Sequence, residues 1–264
     1  MSYKEEKIGI GLITYNRPEY FEQTFNSVMK IGDKFDEIII VKDGGESYTR
    51  KYQDEVPMID FIDNGYNCRS KNTAWSYLIT KGCYHLFLIE DDMVIKDPDV
   101  FEMYIKTAKT TGIHHLMYSK VADNPKKLTI DYNSEIGIDL HQNYQGPFMY
   151  TIQPVVKHIG AWDVGFKNAF THIDWSYRCS QAGIIPPMWW SPDIKDSDNY
   201  LTDIEGSTEN SSITNKNQYS ENYKISAKHW VEKYGYFTNQ IKDPGKEVVQ
   251  EKLKQIQELY SRPL

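Results

Sequence analysis

Cysteine is scarce in this sequence: Cys68, Cys83 and Cys179 are the three among 264 residues. The number is odd and no C-x-x-C pair occurs, which argues against a disulfide framework and against a thiolate metal site. A reducing, cytoplasmic setting is the expectation. Long apolar runs are lacking too. Ile8–Ile13 is too short for a secretory signal and acidic residues precede it. No stretch approaches the about 20 apolar residues of a membrane span, so no membrane partner is expected. Asn210-Ser-Ser reads as a glycosylation sequon that carries no meaning without a secretory signal. An excess of positive charge is also missing. Thirty Lys and Arg stand against 37 Asp and Glu, for a net charge of −7. That disfavours a generic nucleic-acid coat protein, because phosphate binding needs a basic surface. There is no internal repeat and no low-complexity tract.

What the sequence does have is enough apolar side chain for a full core, at 40% of residues, and many aromatics, with 20 Tyr and 6 Trp. The length allows one large domain or two small ones. Ile8–Ile13, Ile38–Val41, Pro57–Ile62 and His85–Ile89 read as short buried strands. Between and after them come helical patterns. Phe21, Phe25 and Val28 follow Pro18 at helical spacing, Lys71–Thr80 looks helical, and Pro98 opens a helix with Val100, Tyr104 and Ile105 as inward candidates. Strands alternating with helices predict an α/β domain with a mostly parallel, Rossmann-like sheet flanked by helices. Gly9-x-Gly11 is no dinucleotide fingerprint, since the third glycine is missing. Beyond residue 132 the pattern is less regular. Val155–Ile159 and Asp174–Ala182 look like short helices, and Ser191–Ser220 reads as one long polar loop that could close over a ligand. Val249, Leu253, Ile256 and Tyr260 make one face of an amphipathic helix. The expected division is a catalytic core over 1–185 and a loop-and-helix extension over 186–264.

Ligands of parallel sheets sit beyond the carboxyl ends of the strands, and the polar clusters fall there. Arg17 follows the first strand, Asp43 the second, Asn64 the third, and Glu90-Asp91-Asp92 the fourth. Three consecutive acids after a buried strand repel one another. A divalent cation offsets that repulsion, and carboxylate oxygens without nearby His or Cys suit Mg²⁺ or Mn²⁺. Mg²⁺ commonly uses one or two carboxylates plus substrate phosphates, which implies a nucleoside diphosphate. Each residue has an ordinary reading beside this one. Arg17 can cap a helix or pair with Glu19, Asp43 and Asn64-Gly65 are turn chemistry, Lys71 suits a solvated helix face, and an acidic triplet suits a solvated loop.

Thr14-Tyr15-Asn16-Arg17-Pro18, Lys42-Asp43-Gly44-Gly45, Asn64-Gly65 with Lys71-Asn72, and Ile89-Glu90-Asp91-Asp92 occur in this order. Together with Gly160-Ala161-Trp162-Asp163 and Asp174-Trp175-Ser176-Tyr177-Arg178, they resemble family-2 glycosyltransferases of the GT-A fold over roughly residues 7–185. The triplet resembles that family's D-x-D motif. The resemblance implies that Asp43 bonds the nucleotide base, commonly uracil, with Thr14, Asn16, Arg17, Asn64, Lys71 and Asn72 lining the nucleotide pocket. It implies Asp92 as the metal ligand, with Glu90 and Asp91 on ribose and donor sugar. The cofactor is then Mn²⁺ or Mg²⁺ and the donor partner a nucleotide sugar, UDP-linked by preference.

An inverting transfer needs a general base for the acceptor hydroxyl. The family places a Glu-Asp pair six to seven residues before the arginine matching Arg178. Thr171-His172 stands there instead, which leaves Asp174 and His172 as the candidates, or a retaining mechanism that needs no such base. As bland alternatives, His172 is a loop histidine and Asp174 a helix N-cap. Trp189 and Trp190 are candidates for an acceptor wall, since an indole face stacks on sugars, although core packing also uses such residues. The expected acceptor is a saccharide hydroxyl. A second reading follows from bacteriophage relatives that glycosylate hydroxymethylated DNA bases, for which Lys106, Lys109, Lys120, Lys126 and Lys127 would form a basic strip. A non-catalytic nucleotide-sugar-binding relative is a third. A nucleotidyltransferase ranks lower, because it usually wants a Gly-rich basic loop where Thr-Tyr-Asn-Arg-Pro stands.

Overall fold

The computed structural model describes residues 6–120, 124–204 and 216–261. Its strands are β1 (Ile8–Thr14), β2 (Glu37–Lys42), β3 (Met58–Asp60), β4 (His85–Glu90), β5 (Met93–Ile95), β6 (His115–Met117), β7 (Lys126–Asp131), β8 (Gly137–His141), β9 (Phe148–Ile152), β10 (Ser191–Ile194) and β11 (Leu201–Asp203). Its helices are α1 (Pro18–Met29), α2 (Tyr66–Thr80), α3 (Val100–Thr111), α4 (Gln153–Ile159), α5 (Thr171–Gln181), α6 (Lys216–Tyr234) and α7 (Lys246–Tyr260). The main sheet has the order β3-β2-β1-β4-β9-β6. β1 to β4 are parallel, and β9 runs antiparallel to β4 and β6. The mostly parallel sheet flanked by helices is thus present, with antiparallel strands added.

β1 and β4 read as unbroken apolar runs because helices cover both of their faces. The crossover from β1 to β2 runs one way across the sheet and that from β3 to β4 runs the other. Right-handed connections therefore put α1 and α2 on opposite faces. Gly9 and Gly11 admit α2 to its face. A Cβ on Gly9 would lie 2.7 Å from Cys83 Sγ, and one on Gly11 would lie 2.7 Å from Ala74 Cβ. On the other face Phe21 and Phe25 of α1 are buried, Phe25 stacking 4.1 Å from the Tyr52 ring. Full burial of each such side chain stabilises by about 1.5–3 kcal/mol. The chain leaves β1 toward β2 and later returns to β4 on the other side. The topological switch point, where sheets of this kind bind ligands, therefore lies between the carboxyl ends of β1 and β4.

Two sequence expectations need correction. Ser191–Ser220 is not one loop. β10 pairs with β8, β11 pairs with β5, and α6 begins at Lys216. Residues 205–215 of that stretch lie outside the described residues, as do the sequon and Asp123 within the lysine strip. β10 looks like a loop because it is polar, yet all four of its residues are buried. Asp193 is satisfied inside by the Tyr104 hydroxyl (2.7 Å), the Ser197 hydroxyl (2.6 Å) and the Ser119 amide (3.0 Å). The irregular region after residue 132 likewise contains β8 and β9. α7 docks on α3 through Val249, Leu253 and Ile256, whereas Tyr260 is exposed.

Candidate active site

The acidic triplet leaves β4 at the switch point, and its three carboxylates meet three different environments. Asp91 is buried and locked to the end of β1. It accepts from the Thr14 hydroxyl at 2.6 Å, the Tyr15 amide at 3.2 Å and Arg17 Nη1 at 3.0 Å. The Tyr48 hydroxyl braces Thr14 at 2.5 Å. Burial pushes the Asp91 carboxyl up to about 7, with Arg17 pulling the other way. Asp92 receives the same Arg17 nitrogen at 3.2 Å on Oδ2, while its Oδ1 is buried and has no hydrogen-bond partner among the described residues. Its carboxyl is raised by burial and by the Glu90 charge, against Arg17. Arg17 occupies the N-cap position of α1 but makes no side-chain cap bond there; its side chain bridges two acids.

Glu90 turns toward α2 and α5. Its Oε1 lies 2.6 Å from Lys71 Nζ and 3.6 Å from His172 Nε2. Lys71 is fully buried, so the solvated-face reading fails for it. Its ammonium also contacts His172 Nε2 at 3.2 Å and lies 4.8 Å above the Trp162 ring. Burial would raise the Glu90 carboxyl, but the Lys71 charge and His172 hold it well below the usual range. Burial and the Lys71 charge lower His172, with Glu90 opposing. Nε2 thus faces the Lys71 ammonium, a donor, and the Glu90 carboxylate, an acceptor, at the same time. Nδ1 is buried with no partner among the described residues. Gly146 packs on this ring so closely that a Cβ would lie 1.9 Å from it.

The ends of β2 and β3 form a third group. Asp43 Oδ1 accepts from the Gly65 amide at 3.0 Å and from Arg69 Nη2 at 2.8 Å. The Arg69 guanidinium lies 4.0 Å over the Phe61 ring. Burial raises the Asp43 carboxyl, opposed by Arg69 and Gly65. Asn64 Oδ1 takes the Tyr66 amide at 2.8 Å, an Asx turn that opens α2. Gly44 has φ +80° and a Cβ there would lie 2.5 Å from the Asp63 carbonyl carbon, so this turn requires glycine. Buried Lys42 ties the turn down, reaching Asp60 at 2.7 Å and the Gly44 carbonyl at 2.8 Å. Asn16, with φ +50°, accepts the Glu46 amide at 3.2 Å. Asn72 faces away from this group, clamping the Trp162 backbone through both ends of its amide at 2.8 and 2.9 Å. Sequence reasoning did not single out Arg69, Lys42 or Tyr48. Lys42 and Arg69 had a usable signal, since each is a cation beside or one helical turn after an acid-bearing turn.

Asp174 sits inside α5, not at its N-cap, which is Phe170. Both of its oxygens are engaged: Oδ1 by Lys233 Nζ at 2.6 Å and the Tyr234 hydroxyl at 2.7 Å, Oδ2 by Arg178 Nε at 3.1 Å. Lys233 also reaches Asp163 at 2.8 Å, where His229 adds a contact at 3.0 Å. Asp174 thus faces α6 while His172, two residues earlier, faces Glu90. Trp190 is buried, donating to Asp243 Oδ1 at 2.7 Å, and Trp189 donates to the Ile241 carbonyl at 2.8 Å. The five lysines of the strip each meet a carboxylate: Lys106 with Glu102, Lys109 with Glu6, Lys120 with Asp198, Lys126 with Asp139 and Lys127 with Asp243. They form no uncompensated basic surface.

Among the described residues no group of three or more His, Cys, Asp or Glu side chains forms a ready cation cage. Asp92 still fits a cation shared with a ligand. It offers a hard oxygen, Oδ1, that is buried and lacks a partner, and a diphosphate would complete the shell. No helix among the described residues is long and apolar enough to cross a membrane.

The sequence profile of Glycosyl transferase family 2 matches residues 10–175. No curated protein matches the chain by sequence. Similar solved structures include S. aureus TarS 1–349, with 13% identity and a TM-score of 0.51 over 76% of this chain and 61% of that one. The same TarS segment in complex with UDP-GlcNAc gives 11% identity and a TM-score of 0.52 over 95% of this chain and 71% of that one. At such identities the likeness is one of fold. The profile covers well over half of the sequence, and the chain belongs to glycosyl transferase family 2.

Proposed function

We propose that this family-2 member transfers a sugar from a nucleoside-diphosphate sugar, UDP-linked by preference, to a saccharide hydroxyl, with Mn²⁺ or Mg²⁺ as cofactor. The observation that carries the reading is Asp92 Oδ1, a buried carboxylate oxygen without a partner among the described residues, at the switch point of an α/β sheet. The UDP preference draws on Asp43 and Arg69, an acceptor and a donor side by side at the end of β2, and on the UDP-GlcNAc held by the similar TarS structure.

In this reading Asp43, Arg69 and Asn64 receive the base, with Thr14 and Asn16 shaping the loop beside it. Asp92 would hold the cation together with the diphosphate, and Asp91 anchors that loop to β4. A bound cation neutralises the charge that develops on the leaving diphosphate. Glu90 and Lys71 flank the donor sugar. The acceptor oxygen attacks the anomeric carbon, the bond to the diphosphate breaks, and its electron pair leaves with the diphosphate. The hydroxyl proton passes to His172 Nε2 once the donor phosphates draw the Lys71 ammonium away. His172 is the better base than Asp174, because both Asp174 oxygens are already held by Lys233, Tyr234 and Arg178. Trp189 and Trp190 serve as a packed support behind the acceptor side. The modified-DNA acceptor is the weaker reading, since the lysine strip is neutralised.

The test is to incubate the protein with UDP-sugars, Mn²⁺ and a panel of saccharides and to assay the released nucleotide product. Release of nucleoside diphosphate with an anomerically inverted product supports the proposal. Pyrophosphate release indicates a nucleotidyltransferase, and nucleotide-sugar binding without turnover a non-catalytic relative; either result overturns it.

A further inference from the structure

Arg17 stands at the N-cap of α1, and its side chain is 11% exposed. A single nitrogen, Nη1, lies 3.0 Å from Asp91 Oδ1 and 3.2 Å from Asp92 Oδ2. The guanidinium carbon rests 4.7 Å above the Tyr20 ring. A positive charge placed between two adjacent carboxylates does electrostatically what a metal ion would do there: it offsets a repulsion that burial strengthens.

We propose that Arg17 is the resident counter-cation of Asp91 and Asp92, and that a divalent cation enters only as a nucleoside diphosphate draws Arg17 away. Metal and nucleotide then bind as a unit. The inference rests on the reading of Asp92 as cation ligand. A divalent ion on Asp92 Oδ1 would sit next to the Arg17 charge, and two cations on one carboxylate repel each other. A diphosphate removes that conflict twice over. Its oxygens match the planar guanidinium fork, giving Arg17 another partner of equal charge type. They also supply the ligands that Asp92 alone lacks. Linkage requires the effect to be reciprocal, so the cation strengthens nucleotide binding by the same factor that the nucleotide strengthens cation binding.

The experiment is a Mn²⁺ titration of the whole chain, read from the electron paramagnetic resonance of free Mn²⁺, with and without saturating UDP. Mn²⁺ complexed by UDP in solution is subtracted. Wild type, Arg17→Gln and Arg17→Lys are compared. Wild type is expected to bind Mn²⁺ at least about 30-fold more tightly with UDP, within the usual range of coupling. Arg17→Gln should bind Mn²⁺ alone about tenfold more tightly than wild type, and its UDP coupling should fall by about the same factor, leaving the part that the phosphate ligands supply. Arg17→Lys keeps the charge without the fork and should lie between the two. It carries the comparison should the glutamine variant not fold. Mn²⁺ affinity in wild type that ignores UDP overturns the inference alone. So does a variant, whichever is folded, that binds Mn²⁺ alone no more tightly than wild type. Absence of Mn²⁺ binding to wild type in the presence of UDP overturns the reading of Asp92 itself.

Discussion

Two buried acid clusters lie on either side of His172, and they differ in one respect. At the end of β4, Asp92 keeps an oxygen that no group among the described residues satisfies. Between α5 and α6, Asp174 has both oxygens filled by Lys233, Tyr234 and Arg178. A carboxylate whose lone pairs are used up inside the protein is part of the architecture. One left short, in a loop at the topological switch point, is where a ligand atom belongs. The comparison teaches that burial and charge alone do not single out a candidate ligand-binding acid; an oxygen left without a partner does.

Replacement of the unsatisfied acid is the sharpest way to break this contrast. Asp92→Asn should lower turnover by about a thousandfold or more, since it removes the anchor of the charge that stabilises the leaving group. Its melting temperature without ligand should stay at or above that of wild type, because a repulsive buried charge is gone. Activity within tenfold of wild type, measured at saturating Mn²⁺, would place the cation elsewhere.

His172→Gln comes next. Loss of a general base costs about 10²–10⁴-fold in turnover, with the donor dissociation constant unchanged within about threefold if the ring does not touch the nucleotide. The wild-type pH profile adds a check. The folded His172 is lowered from its ordinary value of 6.5 by burial and by the Lys71 charge. It therefore stays neutral, and competent as a base, at pH 7, and the acid limb of kcat/KM should lie below pH 6.5. An acid limb above that value, or one that survives in the glutamine variant, would assign the base to another group.

Asp174→Asn should do the opposite of Asp92→Asn. It leaves Arg178 and Lys233 beside a neutral amide, with Lys233 still held by Asp163, and a partly buried charge pair broken in this way costs less than the about 3–5 kcal/mol of a fully buried one. A marked fall in melting temperature is expected, while turnover measured well below that temperature stays within about tenfold of wild type. A thousandfold loss of turnover in a stably folded variant would make Asp174 the base. The smallest effect is expected from Trp190→Phe, which removes the bond to Asp243 and costs about 1 kcal/mol. Acceptor KM should not move; a large rise would return Trp190 to the acceptor wall.

Much of this layout was legible in the sequence, for identifiable reasons. β1, β2 and β4 are covered on both faces, so they show as apolar runs ending in polar loops, and those loops converge as expected. β10 was not legible, because its polar side chains are satisfied by partners far along the chain, such as Asp193 by Tyr104. Tyr48 escaped notice for the same reason, its partner Thr14 lying 34 residues away. The separation of His172 from Asp174 was accessible in principle. Residues two apart on a helix project about 200° from each other, so one helix could not aim both at the same substrate.

The central claim is that Asp92 binds a divalent cation jointly with a nucleoside diphosphate, and the most direct test is a thermal-shift comparison of wild type and Asp92→Asn with UDP, Mn²⁺ and both. A ligand that binds the native state alone raises the melting temperature by mass action. The account predicts a rise in wild type when UDP and Mn²⁺ are present together, well beyond the sum of either alone, and its loss in Asp92→Asn. A UDP shift in wild type that ignores Mn²⁺, or one that Asp92→Asn retains in full, would contradict it.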